Sequence, residues 1–85
     1  MKQLIKEMKK GIFPNSMIKK IVIDYDGERD YKFSGDALDL ICEQQAYRIA
    51  CNMVKKSKPF CYPNNTIAYF SSYSATKMVI ELENN

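Results

Sequence analysis

The spacing of apolar residues changes several times along the 85-residue chain, and each change predicts a different element. In KQLIKEMKKG, residues 2–11, apolar side chains recur at helical spacing among lysines. Gly11 and then Pro14 end that pattern, as is common after a helix C-terminus. We therefore predict a short amphipathic N-terminal helix.

A hairpin is predicted next. MIKKIVIDY (residues 17–25) and RDYKF (residues 29–33) both alternate apolar and polar positions on either side of an Asp-Gly pair. A two-residue loop would place apolar residues opposite polar ones, whereas a three-residue loop over 25–27 or 26–28 keeps the apolar residues on one face. The pattern therefore predicts a loop of odd length around Gly27.

The segment DALDLICEQQAYRIACNMVKK, residues 36–56, is predicted to form one long helix. Ser34 and Asp36 offer N-cap chemistry, and Pro59 marks the break after the helix. Its apolar residues form two stripes on nearly opposite sides. The first stripe holds Leu38, Cys42, Ala46, Ile49 and Met53, and the second holds Leu40, Tyr47, Cys51 and Val54. One stripe is expected to face a sheet, and the other to meet the first helix or a partner.

PFCYPNN, residues 59–65, is predicted to be a turn-rich connector, followed by strands in TIAYFSSY (66–73) and KMVIEL (77–82). The element order is therefore α-β-β-α-β-β. This order predicts an α+β fold with a four-stranded, mainly antiparallel sheet, a short N-terminal helix and one long central helix packed on the sheet. Residues 1–85 are expected to form a single compact domain.

The composition predicts where the protein is located and whether it holds a cofactor. The chain is 46% hydrophobic and 27% charged, which is ordinary for a folded globular protein. No apolar run approaches the roughly 20 residues that span a bilayer, and lysines interrupt the N-terminal apolar positions, so a cytoplasmic protein without membrane attachment is expected. The three cysteines form no CxxC pair and the chain has no histidine, so no structural zinc, disulfide framework or other cofactor is predicted.

Charge is strongly segregated behind the overall +3. Residues 1–20 carry six lysines and one glutamate, a net +5, and residues 48–58 carry a net +4. Residues 24–43 carry seven acids against two cations, a net −5. A surface with distinct acidic and basic faces is therefore expected.

Catalytic motifs are not convincing in this chain. DYDGERDYKFSGD, residues 24–36, has acids at alternate positions like a calcium-binding EF-hand loop, but its glycine stands fourth instead of sixth. Tyr73 and Lys77 resemble the Tyr-x-x-x-Lys motif of short-chain dehydrogenases, yet the chain has no glycine-rich nucleotide turn. Without histidine or a nucleophile elbow, a binding protein is expected rather than an enzyme.

The first binding hypothesis is an acidic surface around the hairpin that contacts lysine or arginine residues of a host protein or ribonucleoprotein complex. Its candidate residues are Asp24, Asp26, Glu28, Asp30, Asp36 and Asp39.

The second hypothesis is nucleic-acid binding through lysine clusters and exposed aromatic rings. The candidate lysines are Lys6, Lys9, Lys10, Lys19, Lys20, Lys55, Lys56 and Lys58. Only two of the thirteen cations are arginine, which disfavours base-specific readout.

A third hypothesis is a homodimer. Leu40, Tyr47 and Val54 recur every seven residues on the second helix stripe and are candidates for self-association. The alternative is that the first helix packs on this stripe.

The Lys-rich first helix, the hairpin IKKIVIDYDGERDYKF (18–33) and the following DALDLICEQQAYRIA (36–50) resemble the layout of small phage-encoded anti-CRISPR proteins, which inhibit Cas9. The resemblance covers roughly the first half of the chain. In that family acidic residues imitate DNA phosphates, a role that only residues 24–43 fit here. It implies a protein of a phage or other mobile element that inhibits or modulates a host protein or a nucleic-acid-handling complex.

Overall fold

The structure, a computed structural model, describes residues 2–83. The described strands form one antiparallel sheet in the order β2-β1-β5-β4-β3, with the helices packed against it, so the α+β class is confirmed. The elements are α1 (Lys2–Lys9), β1 (Ile18–Tyr25), β2 (Arg29–Ser34), a 3₁₀ helix (Gly35–Glu43), α2 (Gln45–Lys56), β3 (Phe60–Tyr62), β4 (Thr66–Phe70) and β5 (Lys77–Leu82).

The prediction of four strands is wrong, because β3 forms inside the connector. Phe60 pairs with Ala68 and Tyr62 pairs with Thr66, and the left-handed backbone of Asn65 closes the turn between β3 and β4. Prolines on both sides of β3 favour a turn in the sequence pattern. They are tolerated because β3 is a three-residue strand at the sheet edge.

The prediction of one long helix is also wrong. The helix is interrupted at Gln44, which has an extended backbone with φ −109° and ψ 157°. Leu38 and Ile41 are three residues apart, a spacing that places both side chains on one side of a 3₁₀ helix, and both are buried. The 3₁₀ helix packs on β1 and β2, whereas α2 packs on α1, β4 and β5. Because the two segments pack on different strands, two separate helices form in place of the predicted single helix.

The hairpin has the predicted odd loop. Tyr25 pairs with Arg29, which leaves the three residues 26–28 as the loop. Asp26 and Gly27 both have positive φ, at 53° and 72°, and the Glu28 N–H donates to the Tyr25 carbonyl at 2.9 Å. The alternative loop over 25–27 is not the one adopted.

The predicted N-terminal helix is confirmed as α1, which ends at Lys9 and is followed by Gly11 with a φ of +87°. The Gly11 N–H donates to the Met8 carbonyl at 2.9 Å. The Tyr47 hydroxyl of α2 donates to the Gly11 carbonyl at 2.7 Å, and the Phe13 ring meets the Tyr47 ring edge-on. The end of α1 is therefore fixed onto α2.

The two faces of the sheet differ. One face lies under the helices and supplies the buried residues Ile21, Ile23, Tyr31, Phe33, Ile67, Tyr69, Met78 and Ile80. A bulge between Ile18 and Lys20 turns Ile18 to that same face. The opposite face, which we call the open face, is not covered by any helix of residues 2–83. No helix within residues 2–83 is long and apolar enough to cross a membrane.

Candidate functional site

The six candidate acids do not lie on one surface. Asp24, Asp26, Glu28 and Asp30 belong to the hairpin tip, where β1 turns into β2. Asp36 and Asp39 follow the other end of β2, in the 3₁₀ helix. Strand residues 31–34 lie between Asp30 and the 3₁₀ helix, and four extended residues span roughly 13 Å. The sheet thus divides the acidic block into two patches.

Three of these carboxylates bind groups of the chain itself. Asp24 accepts from the Gly27 N–H at 3.2 Å and shapes the hairpin loop. Asp26 accepts from the Ala75 N–H at 3.1 Å and joins the hairpin to the loop between β4 and β5. Asp39 accepts from the Asn15 side-chain amide. These three therefore have roles in holding local structure.

The candidate lysines are also divided. Lys19 and Lys20 lie at the start of β1, at the opposite end of that strand from the hairpin tip. Lys6 and Lys9 are exposed on α1, and Lys58 is exposed after α2. The remaining three candidates, Lys10, Lys55 and Lys56, line two grooves that flank the exposed side of α2.

The first groove, of about 330 Å³, lies between α2 and the β4–β5 loop (71–76). Its α2 wall carries Arg48, Asn52 and Lys56, which recur at intervals of four residues and so share one helix side. Its other residues are Tyr25, Gln45, Ile49, Met53, Ser57, Ser71, Ser72, Tyr73, Ser74 and Thr76. This lining combines two cations with amides, hydroxyls and two tyrosine rings.

The loop wall of the first groove is organised by its own hydrogen bonds. The Ser71 N–H donates to the Thr76 carbonyl at 3.0 Å, and the Tyr73 N–H donates to Ser71 Oγ at 3.2 Å. Ser74 Oγ donates to Thr76 Oγ1 at 2.9 Å, and Thr76 is buried. Together with the Asp26 contact to Ala75, these bonds preorganise the loop.

The second groove, of about 420 Å³, lies between α2 and the end of α1. It is lined by Lys10, Gly11, Tyr47, Arg48, Cys51, Asn52 and Lys55. The pKa of the Tyr47 hydroxyl is raised by a hydrogen bond with the Cys51 side chain and by burial.

The grooves join along α2 because Arg48 and Asn52 line both. We call their combined lining the α2 surface. It carries four cations, Lys10, Arg48, Lys55 and Lys56, and no aspartate or glutamate among the described residues that line it. An elongated surface of this kind attracts anions.

Sequence reasoning missed Arg48, Asn52 and the serine-rich loop as parts of this surface. The four-residue spacing of Arg48, Asn52 and Lys56 was a usable signal, since residues at i, i+4 and i+8 share a helix side. Nothing local in the sequence indicated that the β4–β5 loop stands opposite them.

The three self-association candidates do not share a surface. Leu40 is 50% exposed but lies in the 3₁₀ helix, before the interruption at Gln44. Tyr47 packs against Phe13 and Gly11, and Val54 is buried in the core. The residues that follow α1 therefore cover Tyr47, and the rest of the core covers Val54.

The described part of the chain holds neither a cluster of metal ligands nor a disulfide bond. Among residues 2–83, no three histidine, cysteine, aspartate or glutamate side chains come together as a metal-binding group. Cys42, Cys51 and Cys61 are free thiols. No family model, curated protein or solved structure matches this chain.

Proposed function

We propose that the protein binds single-stranded nucleic acid along the α2 surface. The observation that carries this proposal is the joining of two grooves at Arg48 and Asn52, with four cations and no carboxylate among the described lining residues. Positive charge in a concave surface attracts phosphates and speeds their encounter.

The shape of the surface favours a chain of phosphates over one small anion. Arg48 and Lys56 are eight residues apart on α2, which corresponds to about 12 Å along the helix axis. Tyr25 and Tyr73 line the first groove, and both rings are exposed enough to stack on bases. Stacking and phosphate contacts together are the usual basis of sequence-tolerant single-strand binding.

Charge reversal on α2 tests this proposal. We expect Arg48→Glu and Lys56→Glu each to weaken binding of a fluorescent single-stranded oligonucleotide about tenfold, because each variant replaces a phosphate contact by a repulsion. Fluorescence anisotropy at several salt concentrations measures the affinity. If all four cations contact phosphates, the slope of log K against log salt should be about −3.

Lys19→Glu is the matched control, since it makes the same charge change on β1. Lys19 lies roughly 20 Å along that strand from Tyr25, which lines the first groove. It should reduce the affinity no more than a general change in net charge does. Equal weakening by Lys19→Glu and Arg48→Glu, or no salt-dependent binding by the parent protein, would refute the α2 surface as the site.

The hairpin tip favours a second candidate function, the binding of a basic protein surface. Glu28 and Asp30 are exposed there, beside Asp24 and Asp26, in a loop fixed by its own hydrogen bonds. Because Asp24 and Asp26 hold the loop backbone in place, the loop loses little backbone freedom when its exposed carboxylates meet lysine or arginine of a partner. The likeness to anti-CRISPR proteins is consistent with a host nucleic-acid-handling complex as that partner.

A double reversal, Glu28→Lys with Asp30→Lys, tests this second candidate without removing the carboxylates that hold the loops. We expect it to abolish capture of a protein partner from host lysate treated with nuclease, because two attractions become repulsions. Asp36→Lys with Glu43→Lys is the control, since it reverses two exposed carboxylates of the 3₁₀ helix, away from the tip. Unchanged capture by the tip variant would exclude the tip as the contact.

A further inference from the structure

The open face of the sheet has an apolar centre. Val22 on β1 pairs with Val79 on β5, and Val79 pairs with Ala68 on β4, which pairs with Phe60 on β3. Ala68 is only 3% exposed although no described helix lies over it. Phe60 is 53% exposed and meets the Phe70 ring edge-on at 5.6 Å. Val22 and Val79 are partly exposed, and together with the exposed Phe60 and Phe70 rings they form an apolar patch, a feature typical of interaction surfaces.

Charged residues flank this apolar row in a regular way. Lys20 and Asp24 lie two residues before and after Val22 on β1. The antiparallel register places Glu81 beside Lys20 and Lys77 beside Asp24. Each side of the row therefore carries one cation and one anion on the neighbouring strands β1 and β5.

We propose that the open face is the interface of a homodimer. Consider a second copy placed on this face by a two-fold axis that runs across the strands, along the apolar row. Lys20 then lies over Asp24 of the second copy, and Glu81 lies over Lys77. Val22, Val79 and Phe60 each meet their own counterparts. The face is thus complementary to itself in both charge and apolar character, which an isologous dimer requires.

In this arrangement like charges meet on the edge strand β2. Lys32, which pairs with Val22, meets its own counterpart there. Its side chain is exposed at the sheet edge, so water and salt screen this repulsion.

The size of the face predicts a weak dimer. Five strands spaced about 4.8 Å apart and about five residues long cover roughly 350 Å² in projection on each copy. The two copies together would cover roughly 700 Å², which is less than stable specific interfaces bury, so the dimer should be weak and form only at high micromolar concentration. The α2 surface lies on the other side of the sheet, so dimerisation leaves both copies of it accessible. The proposal does not depend on nucleic-acid binding.

Sedimentation equilibrium at protein concentrations from about 1 μM to about 1 mM tests this proposal. The parent protein should shift from monomer to dimer across this range. Val79→Lys should stay monomeric, because it places two lysines in the apolar centre, while circular dichroism confirms that it folds. Leu40→Lys is the matched control, since it adds the same charge at an exposed apolar residue of the 3₁₀ helix, and it should dimerise normally.

A charge swap tests the direction of the two-fold axis. Glu81→Lys should weaken the dimer at least tenfold, because the new lysine faces Lys77 of the second copy. Adding Lys77→Glu should restore the dimer. An axis along the strands would instead place residue 81 over Lys20, and the double variant would stay monomeric. A monomeric parent protein at about 1 mM, a dimeric Val79→Lys variant, or a double variant that is not restored would overturn the proposed interface.

Discussion

Replacing Gly11 with alanine should lower the free energy of unfolding by about 3 kcal/mol. Gly11 has a φ of +87°, a conformation that disfavours any residue with a Cβ atom. An alanine Cβ at this position would also lie 2.7 Å from the Tyr47 hydroxyl oxygen. That hydroxyl donates to the Gly11 carbonyl, so the substitution would disturb the contact that fixes α1 on α2. Urea denaturation measures the loss.

Two variants separate backbone strain from the steric clash. Gly27→Ala has a similar positive φ of 72° but no neighbouring atom within 4 Å of its Cβ, so it should lose only about 1 kcal/mol. Adding Tyr47→Phe to Gly11→Ala removes the clashing oxygen. The double variant should therefore be more stable than the sum of the two single losses predicts. Equal losses for Gly11→Ala and Gly27→Ala would show that Tyr47 does not constrain this turn.

Alkaline unfolding should depend on Tyr69. Burial, with a smaller contribution from Cys61, raises the pKa of Tyr69 from 10.0 to about 12. The raised pKa means that the unfolded chain loses this proton first as pH rises. The parent protein therefore keeps its full stability below pH 10 and loses about 3 kcal/mol of it between pH 10 and pH 12.

Tyr69→Phe should remove this part of the pH dependence. At neutral pH the variant should be as stable as the parent or more stable by up to about 1 kcal/mol, because the buried Tyr69 hydroxyl has no hydrogen-bond partner in the structure. Tyr73→Phe is the matched control, since the Tyr73 ring is 86% exposed. Urea denaturation from pH 8 to pH 12 measures the difference. An identical loss of stability in the parent and Tyr69→Phe would rule out Tyr69 as its source.

The α2 surface and the open face lie on opposite sides of one five-stranded sheet. A single chain of this size can therefore present a charged surface and a self-complementary surface without one blocking the other. Variants on either side are expected to act separately, because additivity holds for distant sites that share no contacts. Arg48→Glu should leave the dimer intact.

Local pattern was enough to predict the elements whose residues contact near neighbours in the chain. Lysines around Leu4 and Met8 predicted α1. The need to keep Ile21, Ile23 and their partners on one face predicted a hairpin loop with an odd number of residues. Both predictions succeed because helix and hairpin periods are properties of the backbone, so that a few residues determine which side chains share a face.

Tertiary packing decided the features that depend on distant residues. The interruption at Gln44 arises because the 3₁₀ helix and α2 pack on different strands, and β3 exists because Phe60 and Tyr62 find partners on β4. The candidate surfaces also depend on contacts between residues that are distant in the chain. The sequence by itself determined the blocks of charge, but only the sheet order divided the acids between two ends of β2 and placed Arg48 opposite the β4–β5 loop. Charge is carried by each residue wherever it lies, whereas a surface exists only once the fold brings residues together.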